Sequence, residues 1–290
     1  MRVALLRWYG GNQSGAEFSV GEIPRAMAFD GANIWVTNYG DHTVTKLQAA
    51  DGSVLGSFFV GLNPEGVAFD GANIWVANSG NDTVNKLRAS DGAVLGPFPV
   101  GVSPQSVAFD GENVWVTNSG SNTVTKMGAA NANLLGTFNV GDQPTGVAFD
   151  GANIWVANSG SGTVTKLQAT DGTALDTISV GLNPEGVAFD GSNIWVANSG
   201  SNTVTKLRAV DGTVLATFSV GGLPRSIAFD GANVWIATLL DNTVTKLRAV
   251  DGAVLGTFTV ISAPTGALGL AFDGANIWVA NSGNSSVTKL

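Results

Sequence analysis

The fold is decided by residues 144–181, which read PTGVAFDGANIWVANSGSGTVTKLQATDGTALDTISVG. Four short segments of this stretch are rich in Val, Ile, Thr, Phe and Trp, as β-strands are, and turn residues separate them. We therefore predict strands at Gly146–Phe149, Ile154–Ala157, Thr163–Gln168 and Ala174–Val180, here named strands A, B, C and D. Asp-Gly pairs follow strands A and C and supply the positive φ angle that tight hairpin turns need. No segment has a sustained helical period, so the chain is predicted to be all-β.

The same pattern repeats seven times along the chain. The tripeptide Phe-Asp-Gly marks each copy, and intervals of 40 residues, with one of 43, separate its aspartates, which are residues 30, 70, 110, 150, 190, 230 and 273. Strict repetition at this length indicates a repeat architecture. Strand B is apolar on both faces, so each sheet must be covered on both sides. A superhelical stack would need polar end units, whereas the first and last units here keep the apolar pattern. We therefore predict a seven-bladed β-propeller of four-stranded antiparallel blades.

The two ends of the chain predict how the ring closes. Val287–Leu290 match strand C of the seventh unit, and residues 16–21 match a strand D. We expect the N-terminal strand to complete the last blade, in a three-plus-one arrangement that removes an exposed sheet edge. Residues 13–290 then form a single propeller domain. Residues 1–12 match the repeat poorly and are expected to form a tail or a fifth, outermost strand.

Composition excludes several classes of protein. The chain has 290 residues, a net charge of −8 and no cysteine, so it forms no disulfide, zinc–thiolate site or iron–sulfur cluster. The negative charge disfavours nucleic acid, and no apolar run reaches the ~20 residues of a membrane-spanning helix. The apolar stretch at the start is too short for a signal peptide. We expect a monomer with no metal and no other cofactor, and the composition leaves the cellular location open.

Two segments carry a resemblance to known propeller repeats. Residues 154–167, IWVANSGSGTVTKL, and residues 140–150, VGDQPTGVAFD, resemble YVTN-type repeats, which combine Tyr-Val-Thr-Asn, a Ser-Gly-Ser-Asn-Thr-Val turn and Val-Gly-x-x-Pro. NHL-type repeats and the propellers related to streptogramin lyases are similar. The resemblance covers residues 15–290 and implies the propeller fold, but not one activity, because such propellers include lyases, other enzymes and scaffolds. This chain differs in having Trp in place of the Tyr, and Lys in strand C, in every unit.

Three repeated sets of residues could carry chemistry. The tryptophans of strand B could stack on sugars, but their apolar neighbours favour packing between blades. The Asp-Gly-x-Asn turns group acidic and amide side chains, yet they lack the Asp-x-Asp-x-Asp-Gly array of calcium loops. The lysines of strand C are expected to extend over apolar neighbours and to pair with a nearby aspartate rather than bind a ligand. They are residues 46, 86, 126, 166, 206, 246 and 289.

The case for catalysis depends on one residue. His42 is the only histidine, so any histidine-based acid–base or Ser-His-Asp chemistry must use it. It lies beside Asp41 in the turn between strands B and C of the first unit, on the face where a streptogramin-lyase-like site would lie. No second histidine supports it. We therefore predict that the chain is not an enzyme, and we keep a lyase-like enzyme that uses His42 as the alternative.

The two faces of the predicted ring differ in how much the units vary. The A–B and C–D turns share one face, here called the turn face, which gathers twelve aspartates, more than half of the 22 acidic residues of the chain. We interpret this charge as serving solubility. The D–A and B–C connections share the other face, here called the loop face, where strand A begins beside the central channel. Variation among the units concentrates on the loop face, as it does at functional loops.

Candidate ligand-binding residues lie on the loop face. The residue after the loop proline differs between units and is expected to surround the channel; these residues are Arg25, Glu65, Gln105, Thr145, Glu185, Arg225 and Thr265. Two irregular B–C turns add Tyr39, His42, Leu239 and Leu240, and both leucines are expected to be at least partly exposed. The seventh D–A loop, residues 261–267, is three residues longer than the others. These irregularities fall in the adjoining blades six, seven and one. Either a function or neutral sequence drift near the blade in which the two chain ends meet explains them.

These patterns predict a binding or scaffold module. The loop face would take a small polar ligand, a glycan or a peptide, and the sequence does not choose among them. A lyase-like enzyme requires an acid or a metal near His42. A purely structural, recently amplified repeat protein requires no ligand at any site.

Overall fold

The computed structural model describes residues 15–260 and 266–290, which form seven four-stranded antiparallel sheets arranged as a β-propeller. Strands A to D of each blade run from the channel outwards. The strands are, for blade 1, β2 (Pro24–Phe29), β3 (Asn33–Asn38), β4 (Thr43–Gln48) and β5 (Val54–Phe59); for blade 2, β6 (Pro64–Phe69), β7 (Asn73–Asn78), β8 (Thr83–Arg88) and β9 (Val94–Pro99); for blade 3, β10 (Pro104–Phe109), β11 (Asn113–Asn118), β12 (Thr123–Gly128) and β13 (Leu134–Asn139); for blade 4, β14 (Pro144–Phe149), β15 (Asn153–Asn158), β16 (Thr163–Gln168) and β17 (Ala174–Ser179); for blade 5, β18 (Pro184–Phe189), β19 (Asn193–Asn198), β20 (Thr203–Arg208) and β21 (Val214–Ser219); for blade 6, β22 (Pro224–Phe229), β23 (Asn233–Thr238), β24 (Thr243–Arg248) and β25 (Val254–Thr259); and for blade 7, β26 (Ala267–Phe272), β27 (Ile277–Asn281), β28 (Ser286–Lys289) and β1 (Ala16–Ser19). The predicted all-β, seven-bladed fold is confirmed. No helix among the described residues is long and apolar enough to cross a membrane.

The ring closes as the sequence predicts. β1 pairs with β28, with Phe18 opposite Val287, so three C-terminal strands and one N-terminal strand form blade 7. Phe18 packs against Trp278 with the ring centroids 5.5 Å apart. Strand β26 of blade 7 lies against β2 of blade 1, so the innermost strands form a continuous ring. Residues 1–12, expected to be a tail or a fifth strand, lie outside the described residues.

The tryptophans of strand B form the core between blades. Six of them have no exposed surface, and Trp235 is only 8% exposed. Each tryptophan contributes to a cluster that includes apolar residues of the next blade, as Trp75 does with Val107 and Val114. Their predicted packing role is confirmed. Because every blade supplies the same large ring at the same depth, burial of these rings makes a large apolar contribution at every blade boundary.

The aspartate of Phe-Asp-Gly holds both the A–B turn and the tryptophan. In blade 4, Asp150 accepts hydrogen bonds from the backbone amides of Ala152 and Asn153, from the Asn153 side chain and from Trp155 Nε1, the last at 2.7 Å. Burial raises the pKa of Asp150, but these hydrogen bonds outweigh it and hold the pKa below its ordinary value. Within the described ranges, no group of three or more His, Asp or Glu residues could hold a metal ion.

The repeated lysines do not have the partners that the sequence suggested. Lys126 Nζ donates hydrogen bonds to the carbonyl oxygens of Ala169 and Thr170 in the next blade, at 2.8 and 2.9 Å. It also lies 5.1 Å from the centroid of the Trp115 ring. An ion pair with aspartate is found for Lys246, with Asp230 at 3.9 Å. The expectation of lysine–aspartate pairs is therefore wrong for the repeat, because the nearest acceptors are the carbonyls that close the neighbouring C–D turn. The same contact is made by Lys46, Lys86, Lys166, Lys206 and Lys289, so these lysines join one blade to the next.

Candidate functional site

The second residues of the seven innermost strands surround one cavity on the channel axis. Its volume is about 240 Å³, and six of the seven predicted residues line it: Arg25, Glu65, Gln105, Thr145, Glu185 and Arg225. The seventh lining position belongs to Leu268. We call these seven side chains the channel-mouth ring. They differ from blade to blade although the strands that carry them are nearly identical.

The seventh position of the ring is occupied by a residue that the sequence interpretation did not name. The residue it did name, Thr265, lies outside the described residues. Ala267 pairs with Asn281 as Pro24 pairs with Asn38, and the next residue, Leu268, therefore stands where the other blades place their variable residue. In the sequence, Pro264 precedes Ala267 by three residues, whereas the loop proline of each other blade is the first residue of its innermost strand. Counting back from Phe-Asp-Gly finds Leu268, which precedes Asp273 by five residues, as Arg25 precedes Asp30.

Small residues form the floor of the cavity. Glycine follows the variable residue in four blades, including Gly146 and Gly186, and alanine or serine follows it in the others. A Cβ atom at Gly146 would collide with the carbonyl oxygen of Glu185 in the next blade, and one at Gly186 would lie 2.6 Å from that of Arg225. The innermost strands therefore approach closely below the channel-mouth ring. Side chains of the ring project above this floor.

Four charged side chains of the ring form two pairs across blade boundaries. Arg225 Nη1 donates to Glu185 Oε1 at 2.6 Å. Arg25 Nε lies 3.8 Å from Glu65 Oε2, which is beyond hydrogen-bond distance. The Nε atoms of both arginines are buried without a hydrogen-bond partner in the described part of the chain. The second pair is therefore incomplete as it stands.

Both glutamates are largely shielded from water. The side chains of Glu65 and Glu185 are 19% and 21% exposed. Burial raises the pKa of Glu65, the charge of Arg25 offsets part of this increase, and the charge of Glu185 adds to it. Burial likewise raises the pKa of Glu185, opposed mainly by Arg225. The two carboxylates thus interact through the cavity, and their arginines do not fully compensate for lost hydration.

The irregular turn of blade 1 carries two candidate residues, Tyr39 and His42. It places Tyr39 beside the channel-mouth ring. The guanidinium carbon of Arg25 lies 4.6 Å from the centroid of the Tyr39 ring, a cation–π contact. His42 does not line the cavity. Its Nδ1 accepts a hydrogen bond from the backbone amide of Asn63 at 3.1 Å. Its backbone has a φ of 59°, in the left-handed region.

The equivalent residues of other blades explain the role of His42. Asp82 and Asn122 occupy the equivalent position, have similar φ angles, and accept the same loop hydrogen bond from Ser103 and Gln143. His42 therefore ties the B–C turn to the following D–A loop, as an Asp or Asn does elsewhere. Comparing this position across the seven units could have shown this from the sequence.

The irregular turn of blade 6 exposes apolar surface. Leu240 is 66% exposed, and Leu239 is half-buried. Both residues follow strand β23 and lie on the loop face, as the sequence predicts. Leu240 packs beside Gly222 of the preceding D–A loop, outside the residues that line the cavity. The turn therefore adjoins the channel mouth without forming its wall.

Comparisons with known proteins agree on the fold. No family model matches the chain, and no curated protein matches it. Hydrazine synthase from Kuenenia stuttgartiensis superimposes with a TM-score of 0.81 and 20% identity over 99% of each chain. Virginiamycin B lyase from Staphylococcus aureus gives a TM-score of 0.80 and 13% identity, covering 94% of this chain and 97% of its own. A streptogramin B lyase gives 0.81 and 16%, covering 94% and 96%. At these identities the matches show a shared architecture, which is the propeller fold that the resemblance to streptogramin-lyase-like repeats implied.

Proposed function

We propose that this propeller is a non-enzymatic binding module that takes a small polar ligand at the channel mouth. The observation that carries the proposal is the channel-mouth ring itself. Its seven positions vary in charge and size, whereas the residues that build the blades repeat almost unchanged. A purely structural repeat would have no reason to collect two arginines and two glutamates around one cavity.

The electrostatics of the ring support binding. The fold largely shields Glu65 and Glu185 from water, and among the described residues it gives the Nε atoms of Arg25 and Arg225 no hydrogen-bond partner. Polar groups in this state gain from a ligand that completes their hydrogen bonds, since their desolvation cost falls on the fold and not on binding. A protein selected for stability alone would have apolar or fully paired residues here.

The size of the cavity favours a compact ligand. A volume of about 240 Å³ lies below the ~300–1,000 Å³ of pockets for drug-sized molecules. A small polar molecule fits, whereas a glycan or a peptide would enter through one terminal residue. In that case Tyr39 and the exposed Leu240 are placed to contact the remainder of the ligand on the loop face.

The alternative of a lyase-like enzyme has one supporting observation, the architecture shared with two lyases and hydrazine synthase. His42 weakens it, because its Nδ1 is engaged by the Asn63 amide and its ring does not line the cavity. His42→Asn, which restores the residue found at position 122, distinguishes the two. A binding module keeps its ligand affinity in this variant, and an enzyme that depends on His42 loses turnover.

A ligand screen tests the proposal. Thermal unfolding would be followed with a library of sugars, amino acids, carboxylates, amines and short peptides, for the native protein and for Arg25→Met/Arg225→Met. The matched control is Arg88→Met/Arg208→Met, which removes two exposed arginines from the turn face. We expect at least one compound to raise the Tm of the native protein and the control but not of the channel-mouth variant. The absence of any such compound would contradict the proposal.

A further inference from the structure

The order of charges around the channel-mouth ring narrows the ligand class. Arg225 and Arg25 belong to blades 6 and 1 and flank Leu268 of blade 7. Going around the ring away from blade 7, the next residues are Glu185 on blade 5 and Glu65 on blade 2. The uncharged Gln105 and Thr145 complete the ring on blades 3 and 4. The four charges sum to zero, but positive charge is gathered on the side of blade 7 and negative charge lies towards the opposite side.

We propose that the channel mouth binds a small zwitterion, a free α-amino acid, with its carboxylate between Arg25 and Arg225 and its ammonium group between Glu65 and Glu185. This inference rests on the proposed function and names its ligand class. In this orientation the ligand lies across the cavity along its charge separation, and its aliphatic part contacts Leu268.

The arginine side has donors to offer. Arg225 uses Nη1 for Glu185, while its Nε is buried with no hydrogen-bond partner in residues 15–260 and 266–290. Arg25 approaches Glu65 only to 3.8 Å and is held against Tyr39, with its Nε also unpartnered. A guanidinium binds a carboxylate best through two parallel N–H groups. A carboxylate at this side would satisfy donors that the protein itself leaves unsatisfied.

The glutamate side has negative charge to neutralise. Glu65 and Glu185 are both mostly buried, and each carboxylate interacts unfavourably with the other through the cavity. An ammonium group between them donates up to three hydrogen bonds and removes this repulsion. A metal ion would need more oxygen ligands than two carboxylates, and no such cluster exists among the described residues.

Both charges of the ligand are needed for a favourable balance. A ligand with only a carboxylate adds negative charge beside two buried glutamates. A ligand with only an ammonium group competes with the arginines for the glutamates and gives the guanidinium groups of Arg25 and Arg225 no anionic acceptor. Only a ligand with both groups compensates both sides, and sites that hydrogen-bond a polar group discriminate strongly against analogues that lack it.

Isothermal titration with α-amino acids tests the inference. The tightest binder of the twenty standard amino acids would be compared with its N-acetyl derivative, its amide and its N-acetyl amide, which carry only the anion, only the cation and neither charge. We expect each singly charged derivative to bind at least about tenfold more weakly than the amino acid, and the neutral derivative not to bind. These comparisons use the native protein, so they stand even if a variant fails to fold.

Two double variants assign the two ends of the ligand. In Arg25→Met/Arg225→Met the amino acid and its amide should bind equally, because the carboxylate contacts are gone. In Glu65→Gln/Glu185→Gln the amino acid and its N-acetyl derivative should bind equally. A channel-mouth ligand that is neutral or singly charged, with no amino acid bound, would overturn this inference and leave the proposed function standing. If no compound of any class binds there, both fail.

Discussion

The turn end and the channel-mouth end of each blade are built on different principles. At the turn end, the same Asp, Asn, Trp and Lys recur, and their polar atoms are satisfied by one another or by the next blade. At the channel mouth, the side chains vary among Arg, Glu, Gln, Thr and Leu, and charged groups are largely buried with incomplete partners. Stability therefore resides in the repeated end, and the proposed binding site lies at the variable end.

The largest loss of stability is expected when the closing strand β1 is removed. Deleting residues 1–21 removes β1, so that β28 loses the strand on its outer edge and Trp278 loses its contact with Phe18. Burial of Phe18 and Val20 contributes ~1.5–3 kcal/mol each when complete, and each ladder hydrogen bond ~0.5–1.5 kcal/mol. The sum rivals the ~5–15 kcal/mol stability of a typical domain. We expect this variant to aggregate or to pair its open edge with a second copy.

Deleting residues 1–12 alone is the matched control, and it should leave the Tm nearly unchanged. Thermal melts and size-exclusion profiles of the two truncations measure the difference. A monomeric 22–290 protein with unchanged melting would show that β1 does not hold the ring closed.

The next largest effect is expected at the aspartate of the turn end. Asp150→Ala removes the acceptor of four hydrogen bonds and leaves Trp155 Nε1 buried without a partner. The loss of buried partners costs ~1–3 kcal/mol for each group, so we expect the free energy of unfolding in urea to fall by ~2–4 kcal/mol. Asp171→Ala, at the exposed C–D turn of the same blade, should have a much smaller effect. If the free energy of unfolding fell equally in the two variants, the contact between Asp150 and Trp155 would not be a special source of stability.

Much of the framework could be predicted from the sequence because its determinants are local. The spacing between Phe-Asp-Gly and the tryptophan lies within one hairpin, so Asp150 and Trp155 could be placed from residue patterns alone. The period of 40 residues and the strand D pattern near residue 18 then placed the blades and their closure.

The remaining features depend on contacts between blades. Lys126 binds carbonyl oxygens 43 and 44 residues away, at a depth that only the stacking of two sheets determines. Leu268 was missed because the prediction counted from the loop proline, which in this unit lies three positions before Ala267 in the sequence. Which arginine approaches which glutamate, and how deeply each is buried, follows from the close approach of the innermost strands and is not encoded in any one unit.

The lysine contacts offer a comparison among blade boundaries. Lys126→Met leaves the carbonyl oxygens of Ala169 and Thr170 without their donor. We expect a loss of ~1–3 kcal/mol in the free energy of unfolding. Lys246→Met should cost less, since this side chain is 26% exposed and its contact with Asp230 spans 3.9 Å. Urea unfolding of both variants measures this, and a larger loss for Lys246→Met would show that the carbonyl contacts do not stabilise the ring.

The smallest effect, and the opposite sign, is expected at the channel mouth. Burial raises the pKa of Glu65 in the folded protein above its ordinary value, so the folded state holds its proton more tightly than the unfolded chain does. Ionisation of Glu65 therefore destabilises the fold increasingly as the pH rises above ~4.3, the value of a free glutamate. Glu65→Gln removes this cost.

The variant should be slightly more stable than the native protein at pH 7, and the difference should vanish as the pH falls below ~4. The repeated aspartates, whose pKa values lie below the ordinary value, lose stabilising interactions at low pH in both proteins alike, so subtracting the two curves isolates Glu65. Glu112→Gln, in an exposed A–B turn, controls for the change in net charge. Urea unfolding from pH 3.5 to 8 measures the difference. If Glu65→Gln is instead less stable at pH 7, the pair of Glu65 with Arg25 stabilises the protein. The channel mouth then contributes to the stability of the fold, as the turn end does.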